Sequence, residues 1–286
     1  MNSLKFFFKP RFSALFFSVS FLLTSCMHIE KIPMQSHESS SVFLEETQSE
    51  RIPAPTESQF WDVTDVDISY VNPDKKYISF TFDDAPSKTL ESILAVFAQY
   101  NELHSDCKAT ATLFCNGNRI DETYLGILHI ACTLGFELGN HTYSHKDLTR
   151  LTNTELRREI DHTDEALYPI DGKKTHLFRA PYGKLSNSVK QAVFTPVIDW
   201  TIDTRDWTGI SEENVYNAVW SAKFSGAIVL FHDGYPNTVS ALKRLLPDLY
   251  TAGYQVLGVS AMAKANDCPL RKGGVYIRAR KNEGKF

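Results

Sequence analysis

Short apolar runs and longer amphipathic segments alternate along the chain from Val66 onward. The apolar runs predict seven strands, near residues 77–82, 108–115, 136–139, 176–178, 196–202, 227–231 and 254–259. Helical periodicity lies between them, over residues 90–100, 124–133, 154–167, 188–194, 212–223 and 239–251. Strands that alternate with helices indicate a parallel α/β sheet. A hairpin of residues 66–70 with 77–82 is also predicted, because Asn72-Pro73-Asp74 is a turn signal.

Polar side chains follow the ends of five of these predicted strands. Asp83-Asp84, His141, Arg179, Asp203 and His232 each come just after a different strand. An open doubly wound sheet and a closed barrel both fit the strand count. In a (β/α) barrel the carboxyl ends of all strands meet at one face, which is where active sites lie. The five polar strand ends therefore favour a barrel with a single pocket.

The first 26 residues have the pattern of an export signal. Three basic residues precede an apolar run, residues 12–23, which is too short to span a bilayer. The run ends in L-L-T-S-C at residues 22–26, which resembles the bacterial lipobox. We therefore expect a signal peptide over residues 1–25 and a lipidated Cys26, which would anchor the protein to the periplasmic face of a bacterial membrane. A plain secretory signal with an incidental cysteine is the alternative.

The composition is that of an ordinary globular protein. The chain has 286 residues, 43% hydrophobic and 22% charged, with 30 Lys+Arg against 34 Asp+Glu. These values exclude a disordered chain, a collagen-like fibre and a small disulfide scaffold, and they give no drive toward nucleic acid. Residues 26–64 predict a flexible tether after the lipidated cysteine, since they are rich in Ser, Glu, Gln and Pro. The pairing of the other four cysteines stays open.

Two of the polar clusters contain the residue types of a metal site. Asp83 and Asp84 are adjacent carboxylates, so a metal, an arginine or both should hold them charged. His141 and His145 are four residues apart, and both imidazoles can reach one ion if the segment is helical or tightly turned. Two histidines with one carboxylate leave positions open for water and substrate, as in catalytic zinc sites. A helix-capping turn and a coincidental histidine pair are the alternatives.

The other three clusters add charge and aromatic surface. Arg179 precedes a rigid turn, so it could hold a carboxylate ionised while the turn presents backbone N–H groups to an oxyanion. Trp207 follows Asp206 in a loop and could stack on a sugar. His232 ends an apolar strand, and a carboxylate partner would raise its pKa enough for general-acid chemistry. A structural salt bridge for Arg179 and core packing for Trp207 are the alternatives.

Taken in order, the five clusters resemble the motifs of the polysaccharide deacetylases, the NodB-homology group known as carbohydrate esterase family four. The family patterns T-F-D-D-G-P-S, H-S/T-x-x-H, R-x-P-Y-G, D-x-x-D-W and L-x-H are matched at residues 81–87, 141–145, 179–183, 203–207 and 230–232. The resemblance covers residues 77–259. Ala85 stands where the family has glycine, which costs about 1 kcal/mol if φ must be positive there and little otherwise.

The resemblance implies a fold, a domain layout and a role for each matched residue. The fold is a distorted (β/α)7 barrel, with the catalytic domain over residues 65–265. The resemblance does not reach residues 266–286, where six basic residues against two acidic ones predict a basic, solvated tail, with contact to anionic wall polymer or lipid headgroups as the alternative. The implied metal ligands are Asp84, His141 and His145, and the cofactor is a divalent metal, usually zinc. The implied catalytic residues are Asp83 as base, Arg179 to orient it, His232 as acid and Asp206 to tune the acid. The implied substrate contacts are the Tyr182 backbone N–H, Trp207 and Leu230.

The activity implied by the resemblance is metal-dependent removal of N-acetyl groups from a GlcNAc-containing polysaccharide, with release of acetate. Given an envelope anchor, the expected substrate is peptidoglycan or a chitin-like oligomer. An O-deacetylase of the acetylxylan-esterase type is one alternative, and a non-catalytic wall-binding lipoprotein is another. The last is disfavoured because every implied ligand, the base and the acid are present in the sequence.

Overall fold

The sheet is organised around its first strand, β1 (Lys76–Ala85), in the computed structural model, which describes residues 59–281. Residues 77–83 are all buried, as expected for a strand covered on both faces in a parallel sheet. Phe80 and Phe82 lie on the face that packs under helices. Asp83 points to the opposite face, because successive side chains of a strand alternate. The predicted signal peptide, Cys26 and residues 27–58 of the predicted tether lie outside the described residues.

Three strands pair with β1. β7 (Ile228–His232) lies along its residues 79–83, β2 (Thr112–Cys115) along residues 81–85, and β8 (Tyr254–Leu257) along residues 76–79. The apolar faces of β1 and β7 are joined by stacking of Phe82 on Phe231, whose ring centroids are 5.4 Å apart. The β1–β7 pairing places Asp83 opposite His232 at the carboxyl ends of the two strands.

The remaining elements complete a curled sheet with helices outside it. The other strands are β3 (Glu137–Asn140), β4 (Leu177–Phe178), β5 (Val197–Ile198), β6 (Ile202–Asp203) and β9 (Val275–Tyr276). The helices are α1 (Leu90–Leu103), α2 (Glu122–Thr133), α3 (Asn153–Asp171), α4 (Asn187–Ala192), α5 (Glu212–Ala222), α6 (Pro236–Thr251) and α7 (Val259–Ala265). The strand order is β6-β7-β1-β2-β3-β4-β5-β9 with β8 beside β1, and the ladders joining these strands are parallel. The predicted α/β distorted barrel is confirmed.

Helix α3 is fixed at both ends by its own sequence. The Thr152 hydroxyl accepts a hydrogen bond from the Glu155 N–H, and the Glu155 carboxylate accepts one from the Thr152 N–H, which together form a capping box. Gly172, with φ 74°, ends the helix in the left-handed conformation that glycine adopts at little cost. The helix therefore extends four residues beyond the predicted end at residue 167.

The predicted hairpin before β1 is wrong. Residues 61–75 form turns in place of a strand. Asp62, Asp67 and Asn72 each accept a hydrogen bond from the backbone N–H two residues further on, which gives the backbone an alternative to strand pairing. Ile68 and Tyr70 in this segment pack against the core.

The predicted strand over residues 196–202 is two strands. β5 pairs with β4 on one side, whereas β6 pairs with β7 on the other, so the chain must cross between them at residues 199–201. The carbonyls of Ile198 and Asp199 accept hydrogen bonds from the Arg179 guanidinium in place of a continuous ladder. An apolar run alone carries no signal of this change of partner.

The segment predicted as a solvated basic tail is packed into the fold as far as residue 281. β9 pairs with β5, and Cys268, Leu270 and Ala279 are buried. Val275 and Ile277 remain exposed, so the segment is held by the β9 ladder and by these three buried side chains and is not buried throughout. The Trp61 N–H donates to the Leu270 carbonyl. One of these residues precedes the predicted catalytic domain, residues 65–265, and the other follows it, so the fold extends beyond both predicted boundaries.

Two further features of the described residues bear on the sequence analysis. No helix within residues 59–281 combines the length and the apolar character that a membrane crossing requires. Of the four cysteines whose pairing the sequence left open, Cys107, Cys115 and Cys132 form no disulfide within the described part of the chain.

Candidate active site

The polar strand ends meet in one pocket at the carboxyl edge of the sheet. Asp83 from β1 contacts Arg179, which follows β4, and lies 3.5 Å from His141, which follows β3. His232 at the end of β7 contacts Asp206, which follows β6. Asp203 does not join them, because its carboxylate is exposed and accepts the N–H of Arg205. The convergence predicted for parallel strands therefore holds for the clusters of Asp83, His141, Arg179 and His232, and the fifth cluster joins them through Asp206 in place of Asp203.

A fully buried guanidinium holds the Asp83 carboxylate. The Arg179 Nη1 donates to Asp83 Oδ1 and to Thr81 Oγ1, both at 2.7 Å, and the guanidinium lies over the Phe114 ring at 4.2 Å. Burial by itself raises the pKa of Asp83, but the charge of Arg179, with smaller contributions from the histidines, lowers that pKa below its usual value. Asp83 is therefore an ionised carboxylate in a buried position.

Three side chains beside this ion pair can hold a metal ion. The ligand atoms of Asp84, His141 and His145 lie within 4.8 Å of one another. His141 Nδ1 is 2.9 Å from the Arg179 carbonyl oxygen, which fixes the ring and leaves Nε2 for a ligand bond. Burial, followed by the charge of His141, lowers the pKa of His145, which favours the neutral imidazole that binds metals.

The chemistry of this cluster fits a divalent metal. Asp84 Oδ1 is buried and has no hydrogen-bond partner among the described residues, which is costly for a carboxylate unless a cation binds it. Two imidazole nitrogens and one carboxylate oxygen form the three-ligand set of catalytic zinc sites, which leaves positions for water and substrate. The predicted ligands Asp84, His141 and His145 are thus brought together by the fold.

The second titratable pair of the pocket is His232 with Asp206. His232 Nδ1 is 2.8 Å from Asp206 Oδ1, and Asp206 is completely buried. The other oxygen of Asp206 accepts the His232 N–H and the Thr238 hydroxyl. Burial lowers the pKa of His232, but the hydrogen bond to Asp206 and the charge of Asp83 outweigh it, and the pKa is raised. Its protonated form therefore persists toward neutral pH.

Aromatic side chains form the rim of the pocket. Tyr182 is 62% exposed, its ring centroid lies 4.8 Å from that of His145, and its backbone is left-handed with φ 61°. Trp207 is 52% exposed and its ring centroid lies 6.5 Å from that of His232. Leu230 is buried two residues before His232 in β7, and so lies on the same face of that strand. Exposed aromatics around a polar pocket suit the apolar faces of sugars.

The alanine at position 85 does not strain the backbone. Asp84 has a positive φ of 64°, whereas Ala85 is not among the described residues with positive φ. The left-handed conformation therefore falls on the aspartate, a residue type that tolerates it better than most. The departure from the family pattern is accordingly close to silent.

Several residues that support the site were not identified from the sequence. Thr238 and Asn237 on α6 bond to Asp206, and Glu159 and Asp164 on α3 bond to the segment that contains the two histidines. These residues lie far along the chain from their partners, in ordinary helical sequence. Only the Asn140 that immediately precedes His141 lies close to a recognised motif.

Comparison with known proteins gives consistent matches. Residues 70–194 match a family model described as polysaccharide deacetylase. The chain is 32% identical over 191 residues to a bifunctional xylanase/deacetylase of Pseudobutyrivibrio xylanivorans, covering 66% of this chain and 30% of that protein. It is 32% identical over 196 residues to a peptidoglycan-N-acetylglucosamine deacetylase of Bacillus cereus, covering 66% of this chain and 68% of that protein. The solved structure of the peptidoglycan deacetylase PdaC from Bacillus subtilis matches with a TM-score of 0.63 at 30% identity, covering 69% of this chain and 94% of that one.

These matches differ in how much of each relative they cover. The chain spans 30% of the xylanase/deacetylase and 40% of the curated PdaC sequence. The family-model match ends at residue 194, before Asp206 and His232. The pairing of those two residues is therefore an observation from geometry, independent of the family model.

We expect the charge of Asp206 to set the pKa of His232. The change Asp206→Asn keeps a hydrogen-bond acceptor but removes the negative charge, so the pKa of His232 should fall and the protonated form should be lost at lower pH. NMR titration of the His232 ring protons measures this. Asp203→Asn, an exposed aspartate three residues away, is the control and should leave the titration unchanged. Equal His232 pKa values in wild type and Asp206→Asn would contradict the assignment.

We expect Arg179 to be essential for stability as well as for the site. The change Arg179→Met leaves Asp83 buried without its partner, which should lower the free energy of unfolding by about 3–5 kcal/mol. Adding Asp83→Asn should recover part of that loss, because no uncompensated charge remains. Urea unfolding measures both. Arg244→Met removes an exposed ion pair with Glu213 and should have almost no effect, so equal losses in the two arginine variants would refute the argument.

Proposed function

The chain belongs to the polysaccharide deacetylase family, and we propose that it is a metal-dependent hydrolase that removes N-acetyl groups from a GlcNAc-containing polysaccharide. The observation that carries the proposal is the arrangement of Asp83 and His232. They lie opposite each other on β1 and β7, next to the cluster of Asp84, His141 and His145. The pKa of Asp83 is lowered and that of His232 is raised, which favours the ionised base and the protonated acid that amide hydrolysis uses.

The proposed cofactor is a divalent metal, and we propose zinc from the donor set. When it is bound by Asp84, His141 and His145, it acidifies water and polarises the acetyl carbonyl. The support for these ligands is twofold. The buried oxygen of Asp84 accepts no hydrogen bond among the described residues and lies 3.5 Å from His145 Nε2, and the Arg179 carbonyl orients His141.

Asp83 acts as the general base in this proposal. Its carboxylate takes a proton from the water that attacks the acetyl carbonyl, and Arg179 keeps it ionised and fixed in direction. The attack forms a tetrahedral oxyanion, which the backbone N–H of Tyr182 is proposed to stabilise. The strained left-handed backbone at Tyr182 supports this role, because strain of this kind persists where the surrounding structure enforces it.

His232 acts as the general acid. It donates its proton to the departing nitrogen as the carbon–nitrogen bond breaks, so the products are acetate and a free amino sugar. Asp206 stabilises the protonated imidazole before the transfer. Trp207 and Leu230 are proposed to contact the acetyl methyl group, since one is at the rim beside His232 and the other precedes it in β7.

The proposed polymer is peptidoglycan or a chitin-like oligomer. This polymer is supported by the similarity to the peptidoglycan-N-acetylglucosamine deacetylase of Bacillus cereus, since the match covers 68% of that protein. The similarity to a bifunctional xylanase/deacetylase favours the second candidate, O-deacetylation of an acetylated glycan. The pocket geometry supports both candidates, because ester and amide cleavage use the same base and metal ligands. The general acid matters more for the amide, because an amine leaves readily only when its nitrogen is protonated.

Acetate release tests the proposal. The purified full chain, loaded with zinc, should release acetate from GlcNAc oligomers and peptidoglycan, and a chelator should abolish the release. Asp83→Asn should lower kcat by about 100- to 10,000-fold, the usual contribution of a general base. Asp106→Asn, an exposed aspartate remote from the pocket, is the matched control.

The three outcomes of the acetate assay separate the candidate functions. Release from GlcNAc polymers supports the N-deacetylase. Release from acetylated xylan alone supports the O-deacetylase. No release from any of the three, with metal bound and the protein folded, contradicts both and favours the non-catalytic wall-binding alternative.

We further propose that Cys26 carries a lipid that anchors the protein to a bacterial membrane. This rests on the sequence pattern of residues 1–26. Metabolic labelling with an alkyne fatty acid should label the wild type, and Cys26→Ser should lose the label and move the protein to the soluble fraction. Cys132→Ser is the control and should keep both. Retention of label and membrane fraction by Cys26→Ser would overturn the anchor.

A further inference from the structure

Helix α3 contacts the loop of the two histidine ligands through two buried carboxylates. Glu159 and Asp164 are 6% and 9% exposed, and neither belongs to a motif that the sequence analysis identified. Glu159 bonds to the loop between His141 and His145, whereas Asp164 bonds to the residue that precedes His141. The two contacts therefore lie on either side of the first ligand.

Glu159 holds the middle of the loop. One oxygen of its carboxylate accepts the Ser144 N–H at 2.7 Å, and the other accepts the Ser144 hydroxyl at 2.5 Å. The Lys146 ammonium lies 3.3 Å from the same carboxylate, and the Glu159 backbone carbonyl accepts the Tyr143 N–H. The Ser144 N–H and the Lys146 ammonium can only donate, and they face different oxygens of the carboxylate. An amide would therefore set its own N–H group against one of them, whereas a carboxylate accepts from both.

Asp164 holds the entry to the loop through Asn140. The Asn140 amide nitrogen donates to Asp164 Oδ1 at 2.9 Å and to the Ile160 carbonyl, and its amide oxygen accepts the Thr142 N–H at 2.9 Å. The same oxygen, Asp164 Oδ1, lies 2.8 Å from Nδ1 of the buried His176. The orientation of the Asn140 amide, and with it the position of Thr142, is thus fixed by α3.

These contacts hold a backbone that local preferences oppose. Thr142 and His145 have positive φ angles of 70° and 55°, and a β-branched threonine is especially unsuited to that region. Such a conformation is strained and persists only where its surroundings enforce it. The strained turn is what brings the rings of His141 and His145 to a centroid distance of 4.9 Å, so that both face Asp84.

We infer that Glu159 and Asp164 are positioning residues for the metal centre, which preorganise His141 and His145 before the ion binds. The inference rests on the metal site of the proposed function. It goes beyond that function because it assigns the geometry of the loop to a helix that supplies no ligand. Without these two contacts the loop should relax from its strained turn, and the protein would have to reorder it on binding the metal.

The test measures zinc binding by the metal-free full chain, with calorimetry against a competing chelator. Glu159→Gln should raise the zinc dissociation constant by about 10- to 100-fold, the usual cost of losing an outer-shell partner. Asp164→Ala should do the same. Asp164→Asn should restore most of the affinity, because an amide oxygen can still accept from Asn140. Glu165→Gln, an exposed glutamate on the same helix, is the control and should bind zinc like the wild type.

Two further measurements separate positioning from general stability. The cobalt-substituted protein should show a changed visible spectrum in Glu159→Gln but not in Glu165→Gln, since the ligand geometry differs only in the first. The melting temperature of each metal-free variant reports folding. If Glu159→Gln does not fold, Ser144→Ala removes the hydroxyl contact with Glu159 from the loop side, while the Ser144 N–H contact stays, and should weaken zinc binding by about tenfold.

The outcomes distinguish this inference from the proposed function. The inference alone is overturned if folded Glu159→Gln and Asp164→Ala have the same zinc dissociation constants and cobalt spectra as the wild type. Absence of zinc binding by the wild type itself would overturn the metal site of the proposed function, and the inference with it.

Discussion

The buried Arg179 guanidinium is the interaction on which both the barrel and its pocket depend. A guanidinium cannot lose its proton, so inside a protein all of its donors need partners at once. Arg179 finds them in two parts of the sheet: Asp83 and Thr81 in β1, and the carbonyls of the last residue of β5 and of the residue that follows it. Its own backbone carbonyl orients His141. The charge that would be most costly to bury therefore fixes the relative positions of the strand ends that form the site.

The same arrangement shifts the pKa values of two neighbouring titratable groups in opposite directions. Asp83 and His232 are opposite each other on paired strands, yet Arg179 lowers the pKa of the first and Asp206 raises the pKa of the second. Each is governed by a partner that is itself completely buried, and so is shielded from solvent. A base and an acid can coexist within one pocket because their environments widen the separation that the ordinary pKa values of aspartate and histidine already provide.

Sequence reasoning reached the parts of this structure that follow from periodicity. The alternation of apolar runs and helical patterns predicts most of the strands and helices. Because Asp83, His141, Arg179 and His232 stand just after apolar runs, their meeting follows once the sheet is parallel. The packing of β9 was missed, since its two residues, Val275 and Tyr276, are too short a run to show a pattern. Glu159 and Asp164 were missed for a different reason. On a helix, buried carboxylates look like exposed ones until the tertiary partner is known.

Backbone strain is concentrated where the function is proposed to lie. Of the six non-glycine residues with positive φ among those described, five belong to the motif segments: Asp84, Thr142, His145, Tyr182 and Arg205. A turn chosen only for stability would place glycine at such positions, as Gly172 does at the end of α3. At Asp84 and His145 the side chain is a proposed metal ligand, so glycine is excluded there and the surrounding contacts must supply the compensation. The alanine at position 85 fits this account. Because the strain falls on the neighbouring Asp84, whose carboxylate the site requires, position 85 has no need of a glycine's freedom.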